Sequence, residues 1–395
     1  MIYSFGARNF YSFREGVQVS FELNSKVPKS ISKGARVSNV LGIKGANASG
    51  KTNILKCLNF IASFISESFK WDEPRHPIDY IPFFCNNETS DIYIDFEIEG
   101  VRYIFDATVT TERVIRETLY KKISRRTKIY ERVGEEIKYR SSEYSALDII
   151  TPKSSASIIS TFVMYKIKGA GIGDELKKIH SYFDSFKSNV FSVGVHGDDF
   201  FTKERASNYY AADPDALNFA QDLIRRCDIG ITGIELHEVK NPEKQEDEYD
   251  YTPFFTHDVE NVPESVKWLT AWDQSSGTMA LYRHLFMYWE VLQEGGALIM
   301  DEFDIHCHSM LLPMLVKLFD DPKINTRGAQ FIFTAHSSEI MDHLGKYRTV
   351  LVSKIKGESF CYRLDEIPGD LIRNDRSISS LYREGKIGGV PKIDG

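Results

Sequence analysis

The run Gly45-Ala46-Asn47-Ala48-Ser49-Gly50-Lys51-Thr52 limits what this chain can fold into more than any other stretch of it. It fits the P-loop pattern G-x-x-x-x-G-K-[ST]. The glycines let backbone N–H groups turn inward around a phosphate chain. Lys51 can reach the β- and γ-phosphates, and Thr52 can set its hydroxyl on Mg²⁺. The flanks agree with this. Val40-Leu41-Gly42-Ile43 reads as a short buried strand, and Ile54, Leu55, Leu58, Ile61 and Phe64 fall on one face of a following helix. Strand, glycine loop and helix aim a helix N-terminus at an anion. An ordinary glycine turn leaves Lys51 and Thr52 unexplained.

Three later segments supply the partners such a loop needs. Ala297-Leu298-Ile299-Met300-Asp301-Glu302 is an apolar run that ends in two carboxylates, as suits a central parallel strand. Asp301 at its end would hold Mg²⁺ through water, and Glu302 would orient or deprotonate the attacking water. Taken alone, the run equally suits a strand followed by a solvated acidic turn. Ser275-Ser276-Gly277-Thr278 opens a helix whose Leu281, Leu285, Tyr288, Trp289 and Leu292 face the core. That start is either a plain N-cap or a second phosphate-facing helix end. Gln330-Phe331-Ile332-Phe333-Thr334-Ala335-His336 is another buried strand, and its closing histidine can contact a γ-phosphate.

In this order and spacing, the four motifs resemble the ATP-binding-cassette-type ATPases, in the division that holds SMC, RecF-like and OLD-family proteins. The resemblance implies that Gly45 to Thr52 bind nucleotide and that Thr52 and Asp301 hold the metal. It implies Glu302 as the catalytic carboxylate and His336 as the switch histidine. Ser275, Ser276 and Gly277 become a signature that reaches the nucleotide of the other subunit. Asp301-Glu302-Phe303-Asp304, with His308 a little on, and the ending Leu381-Tyr382-Arg383-Glu384-Gly385-Lys386-Ile387-Gly388-Gly389-Val390-Pro391 are similar to a bacterial subgroup. That subgroup contains abortive-infection and other anti-phage ATPases. By the same resemblance, Asp304 and His308 belong to a dimer-contacting loop. The likeness covers about the first 70 residues and the stretch after Trp268. Gln274 stands where leucine is usual, and Ser309 where many relatives have proline. No glutamine lies between Thr52 and Gly100, which leaves the usual second metal contact, or a substitute at Asn86 or Asn87, open. Neither a Toprim-like acidic constellation after His336 nor a Cys-x-x-Cys hook occurs.

The 395 residues carry a formal net charge of −7, which does not point to nucleic acid as a partner. The five cysteines are scattered without metal-ligand spacing, as expected in a reducing cytoplasm. The start lacks a signal layout, and no apolar run approaches a membrane span. Residues 1 to about 24 read as two strands around a turn at Phe13-Arg14-Glu15-Gly16. From Asp91 to about Tyr139 apolar residues alternate, the pattern of an antiparallel lobe of hairpins. Its basic run, Lys121 to Lys128, suits either a nucleic-acid backbone or a solvated strand and turn. Residues from about Ser155 to Arg226 read as helical, either a partner-binding arm or helices packed on the head. Asn241 to Asn261 reads as an acidic returning loop or, with its interleaved aromatics, a protein contact.

The expectation is therefore an α/β P-loop head of the ABC type with an inserted antiparallel β-lobe and a short helical arm. Residues 1–70 and 266–395 form the head, 71–150 the lobe, and 151–265 the arm and acidic loop. The expected function is ATP binding and Mg²⁺-dependent hydrolysis by a cytoplasmic homodimer, or a higher even-numbered oligomer. It would act as a conformational switch in anti-phage defence, controlling a separate effector protein, with no membrane role. The alternatives are a DNA-repair or chromosome-maintenance ATPase acting directly on DNA, and a slow nucleotide-gated scaffold.

Overall fold

Six strands build the sheet that carries the P-loop. In spatial order they are Glu358–Arg363, Thr349–Ile355, Val40–Gly45, Gln330–Thr334, Ala297–Met300 and Lys187–Ser188. All neighbours run parallel except the first pair, a hairpin. The computed structural model describes the chain except residues 26, 72–76, 166–172, 193, 196–200, 229, 241–248, 262, 264–266, 305–310, 369–370, 373–375 and 390–395.

The three central strands are buried at every residue, as strands covered on both faces must be. Alternation along them sorts their side chains into two cores. Leu41, Ile43, Ala297, Ile299 and Ile332 join one core with the P-loop helix, Lys51–Ser66. Val40, Leu298, Met300, Phe331 and Phe333 join the other, with helices Ser276–Glu294 and Leu312–Asp320. The period of two along a strand produces this split directly.

The second sheet is an antiparallel meander of seven strands. Its order is Val17–Ser20, Ile2–Arg8, Ser90–Ile98, Val101–Val109, Val114–Lys122, Arg126–Val133 and Glu136–Arg140. Ile92, Ile94, Phe96, Phe105 and Ala107 point inward and share a core with Phe60 and Phe64 of the P-loop helix. That helix is sandwiched between the two sheets and buried over most of its length, with Thr52, Asn53, Lys56, Asn59 and Ser63 left partly exposed along it. Two polar links stitch the layers. Gln330, fully buried, donates to the carbonyls of Ile2 at 3.0 Å and Ser38 at 3.1 Å. Arg363 donates to the carbonyls of Ser20 and Glu22 at 3.0 and 2.7 Å and pairs with Asp365.

The helices between the lobe and the signature pack on the head. Ile158, Phe162, Leu176, Ile179 and Phe183 enter the core of the P-loop helix. Ala206, Tyr210, Leu223 and Ile224 enter the other core. Helix Ile158–Met164 is fixed at its start by Glu117, whose buried carboxylate accepts the Ile158 N–H at 3.0 Å and pairs with buried Arg132. The acidic stretch differs from a returning loop. Tyr249–His257 is a strand, paired along its length with Ile231–Lys240 and also with Trp268–Thr270. Burial of Phe255 against Tyr282 and backbone pairing outweigh the low strand preference of the acidic residues. Residues 241–248, with most of the acidic side chains, lie outside the described part. Three of the five cations of the lobe's basic run have carboxylate partners: Lys121 pairs with Glu175, Arg126 with Asp106 and Lys128 with Glu131.

Candidate nucleotide site

Strand Val40–Gly45 delivers the loop, and the geometry of the loop depends on its glycines. Gly50 sits at φ 108°, and a Cβ there would come 2.6 Å from Ser359 Oγ and 2.8 Å from Ser12 Oγ. A Cβ on Gly45 would come 2.4 Å from the Val352 carbonyl. The loop is braced from behind. Ser359 donates to the Ser49 carbonyl at 2.6 Å and lies 2.7 Å from Ser12 Oγ, which accepts from Asn53 at 2.8 Å. No side chain caps the P-loop helix at Gly50, so its first N–H groups remain for an anion. Lys51 Nζ donates to the carbonyls of Gly45 and Ala46, each at 3.0 Å. Burial lowers its pKa, against the opposing pull of Asp301 and Glu302.

The carboxylate strand ends one strand away from this loop, across Gln330–Thr334. Asp301, 4% exposed, accepts the Thr52 hydroxyl on Oδ2 at 2.6 Å and the Thr334 hydroxyl on Oδ1. Asn189, the residue after the edge strand, clamps the Asp301 backbone, accepting its N–H at 2.7 Å and donating to its carbonyl at 3.0 Å. Glu302 adopts φ 50°, a left-handed conformation costing a non-glycine residue about 1–3 kcal/mol. The turn is held by its own N–H on Thr334 Oγ1 at 2.8 Å and by the Phe303 N–H on the Thr334 carbonyl at 3.2 Å. Glu302 Oε1 lies 3.1 Å from His336 Nε2. Asp304 accepts the N–H groups of His336 and Ser337 at 2.9 and 2.6 Å.

Thus Gly45 to Thr52, Asp301, Glu302, Asp304 and His336 come together in one site. The donor set fits a phosphate with a hard cation. Thr52 and Asp301 offer oxygens 2.6 Å apart, the ligand type that Mg²⁺ prefers. Ser49 Oγ is buried and finds no hydrogen-bond partner among the described residues. Among the described residues, none of the hydrogen bonds of this site reaches Ser275, Ser276 or Gly277. Ser275 caps helix Ser276–Glu294 by accepting the Thr278 N–H at 3.1 Å, and Ser275 and Ser276 are exposed. His308 lies outside the described residues. Asn86 forms a reciprocal amide pair with Asn9 at 3.0 and 2.9 Å.

Sequence reasoning missed Thr334, Asn189, Ser12 and Ser359. Thr334 carried the only local signal, a hydroxyl two residues before His336 at a strand end. The others act across the fold and have no motif of their own.

A P-loop strand and a carboxylate strand flanking a histidine strand in one parallel sheet define an α/β P-loop ATPase head. The family model described as "AAA domain, putative AbiEii toxin, Type IV TA system" matches residues 40–342, and the chain belongs to that family. The family description carries the abortive-infection association that the motifs implied. Among solved structures, the chain is similar to the SMC head domain from Thermotoga maritima. Identity is 13% over 92% of this chain and 98% of that one, with a TM-score of 0.43. It is also similar to the Smc head domain with an extended coiled coil, bound to the C-terminal domain of ScpA, from Pyrococcus furiosus. There identity is 15% over 92% and 97% of the two chains, with a TM-score of 0.43. No curated protein matches the chain. Among the described residues no helix is long and apolar enough to cross a membrane.

Proposed function

We propose that this chain hydrolyses ATP at the Thr52–Asp301–Glu302–His336 centre. We further propose that two copies close head to head around two nucleotides as a conformational switch in anti-phage defence, acting on a separate effector protein. One observation supports this most. The groups of the catalytic half are hydrogen-bonded to one another within one chain, while Ser275 and Ser276 at the start of the other helix are exposed. Trp272, three residues before Ser275, is 87% exposed, an aromatic surface of the kind that interfaces use.

The chain's own groups divide the work. Lys51 and the loop N–H groups hold the β- and γ-phosphates. Thr52 and Asp301 hold Mg²⁺, which when bound neutralises charge on the phosphate oxygens. Glu302 orients and deprotonates the attacking water, and its strained turn fixes the carboxylate's aim. His336, against Glu302, contacts the γ-phosphate and registers its loss. The partner's signature completes the far side. An ATPase acting directly on DNA finds less support, because three cations of the basic run already have carboxylate partners.

Phosphate release and light scattering on the same sample test the proposal. Mg²⁺-dependent turnover with an ATP-dependent doubling of mass is expected. ATP hydrolysis by a strict monomer would remove the sandwich.

A further inference from the structure

Lys44 directly precedes the first P-loop glycine and is 6% exposed. Its Nζ donates to the Ala335 carbonyl at 3.1 Å and to the His336 carbonyl. The ammonium lies 5.5 Å from the centre of the Tyr382 ring. The ring belongs to the C-terminal run that the sequence singled out and the ATPase reading leaves unused. The Tyr382 hydroxyl donates to the Gly389 carbonyl at 2.9 Å, and the Tyr362 hydroxyl to the Ile387 carbonyl at 2.8 Å. Gly389 packs so close to the P-loop that a Cβ on it would lie 3.7 Å from Gly45 Cα. The turn after Tyr382 thus folds onto the end of the P-loop strand.

The loop bearing His336 is held from two sides by opposite charges. Asp304 takes the N–H groups of His336 and Ser337, and Lys44 takes the carbonyls of Ala335 and His336. Burying an ammonium is costly, and a methionine would fill the same space without that cost. A charge in such a place is explained by the carbonyls it orients.

We propose that Lys44 is a positioning residue for ATP hydrolysis. Covered by the Tyr382–Gly389 turn, its ammonium fixes the Ala335 and His336 carbonyls and so keeps the His336 ring beside Glu302. This rests on the reading of Glu302 and His336 as the hydrolytic pair.

Burial lowers the Lys44 pKa to about 8; Asp304 pulls it back up and Lys51 pushes it further down. Between about 8 and the ordinary 10.5, the unfolded chain keeps a proton that the folded chain has lost. Stability linked to Lys44 therefore rises with pH across that window, whereas a positioning charge disappears. The expected signature is a rate that falls as pH passes about 8 while the melting temperature does not fall with it.

The test uses full-length Lys44→Met, Lys44→Arg, Tyr382→Leu and His336→Ala, with kcat, KM, ATP affinity and melting followed against pH. Lys44→Met should lose on the order of ten- to a hundredfold in kcat with ATP affinity unchanged. Lys44→Arg should keep the rate and lose the alkaline limb, because a guanidinium stays charged. Tyr382→Leu, which uncovers the ammonium, should move that limb upward while ATP still binds, a readout that survives even if Lys44→Met fails to fold. A limb that persists in Lys44→Arg belongs to Lys51, the other buried lysine nearby, and overturns the assignment. Wild-type turnover in His336→Ala removes the underlying reading. Slow His336→Ala beside normal Lys44→Met overturns the positioning role alone.

Discussion

The proposed hydrolytic centre and the proposed signature helix start are built on opposite plans. Around Asp301 both carboxylate oxygens and both backbone groups are engaged within the chain. Around Ser275 the hydroxyl is spent on its own helix, Ser276 is exposed, and Trp272 is 87% exposed, with Lys203 Nζ 4.9 Å from its ring. A pre-organised centre pays its ordering cost during folding, so it is ready before any ligand arrives. An exposed helix start with an aromatic neighbour gains by being covered. On the proposed function, the difference gives one chain a pre-built chemical half and an exposed docking half, and the proposed dimer would use both.

The comparison can be broken first at its most engaged point. Lys51→Ala should abolish nucleotide binding, because the loop Gly45–Thr52 has no other charged side chain to replace it on the β- and γ-phosphates. Calorimetry with ATP measures this, and retained affinity would sink the P-loop role. Next, Glu302→Gln should bind ATP yet lose about 10²–10⁴ in kcat, and it should accumulate as a closed dimer. Single-turnover phosphate release and light scattering read the two effects, and near-normal turnover would assign the base elsewhere. The docking half is probed by Ser275→Arg, which should bind ATP through its own loop but fail to close. Mixed with Lys51→Ala chains it should regain part of the hydrolysis, since a sound P-loop then meets a sound signature. Wild-type turnover by Ser275→Arg alone would refute a role in trans. The smallest effect sharpens the first half: Asn189→Ala leaves every ligand in place and loosens only the Asp301 backbone. It should cost about tenfold in activity, read as a raised Mg²⁺ requirement. An unchanged Mg²⁺ dependence would make Asn189 a plain strand-edge bond.

Much of the chemical half was legible because it is local. A glycine loop, an apolar run ending in two carboxylates, and a strand ending in histidine each declare themselves within eight residues. The meander was legible through alternation, as at Ile92, Ile94 and Phe96. What stayed hidden depends on distance in sequence. Asn189 meets Asp301 and Lys44 meets His336 only after the sheet has formed, and neither residue type predicts its partner. Tyr249–His257 was hidden for another reason. Its acidic surroundings and Pro253 argue against a strand, while full pairing with Ile231–Lys240 overrides both. The packing of the inserted helices on the two cores could not be read from their faces, since an apolar stripe fits an arm or a head equally well.

Gln330, stitched to Ile2 and Ser38, carries a consequence for how the molecule comes into being. The meander pairs strands that mostly follow one another and can assemble from local contacts with little loop-closure entropy. The parallel sheet must instead bring Val40–Gly45 between Gln330–Thr334 and Thr349–Ile355, closures spanning most of the chain. During synthesis the P-loop strand is therefore not expected to have both of its sheet neighbours until Thr349–Ile355 has left the ribosome. Over that interval aggregation of the nascent chain and its capture by chaperones are expected to be greatest. Slowing translation after Arg348 should lengthen that exposure without touching the mature protein.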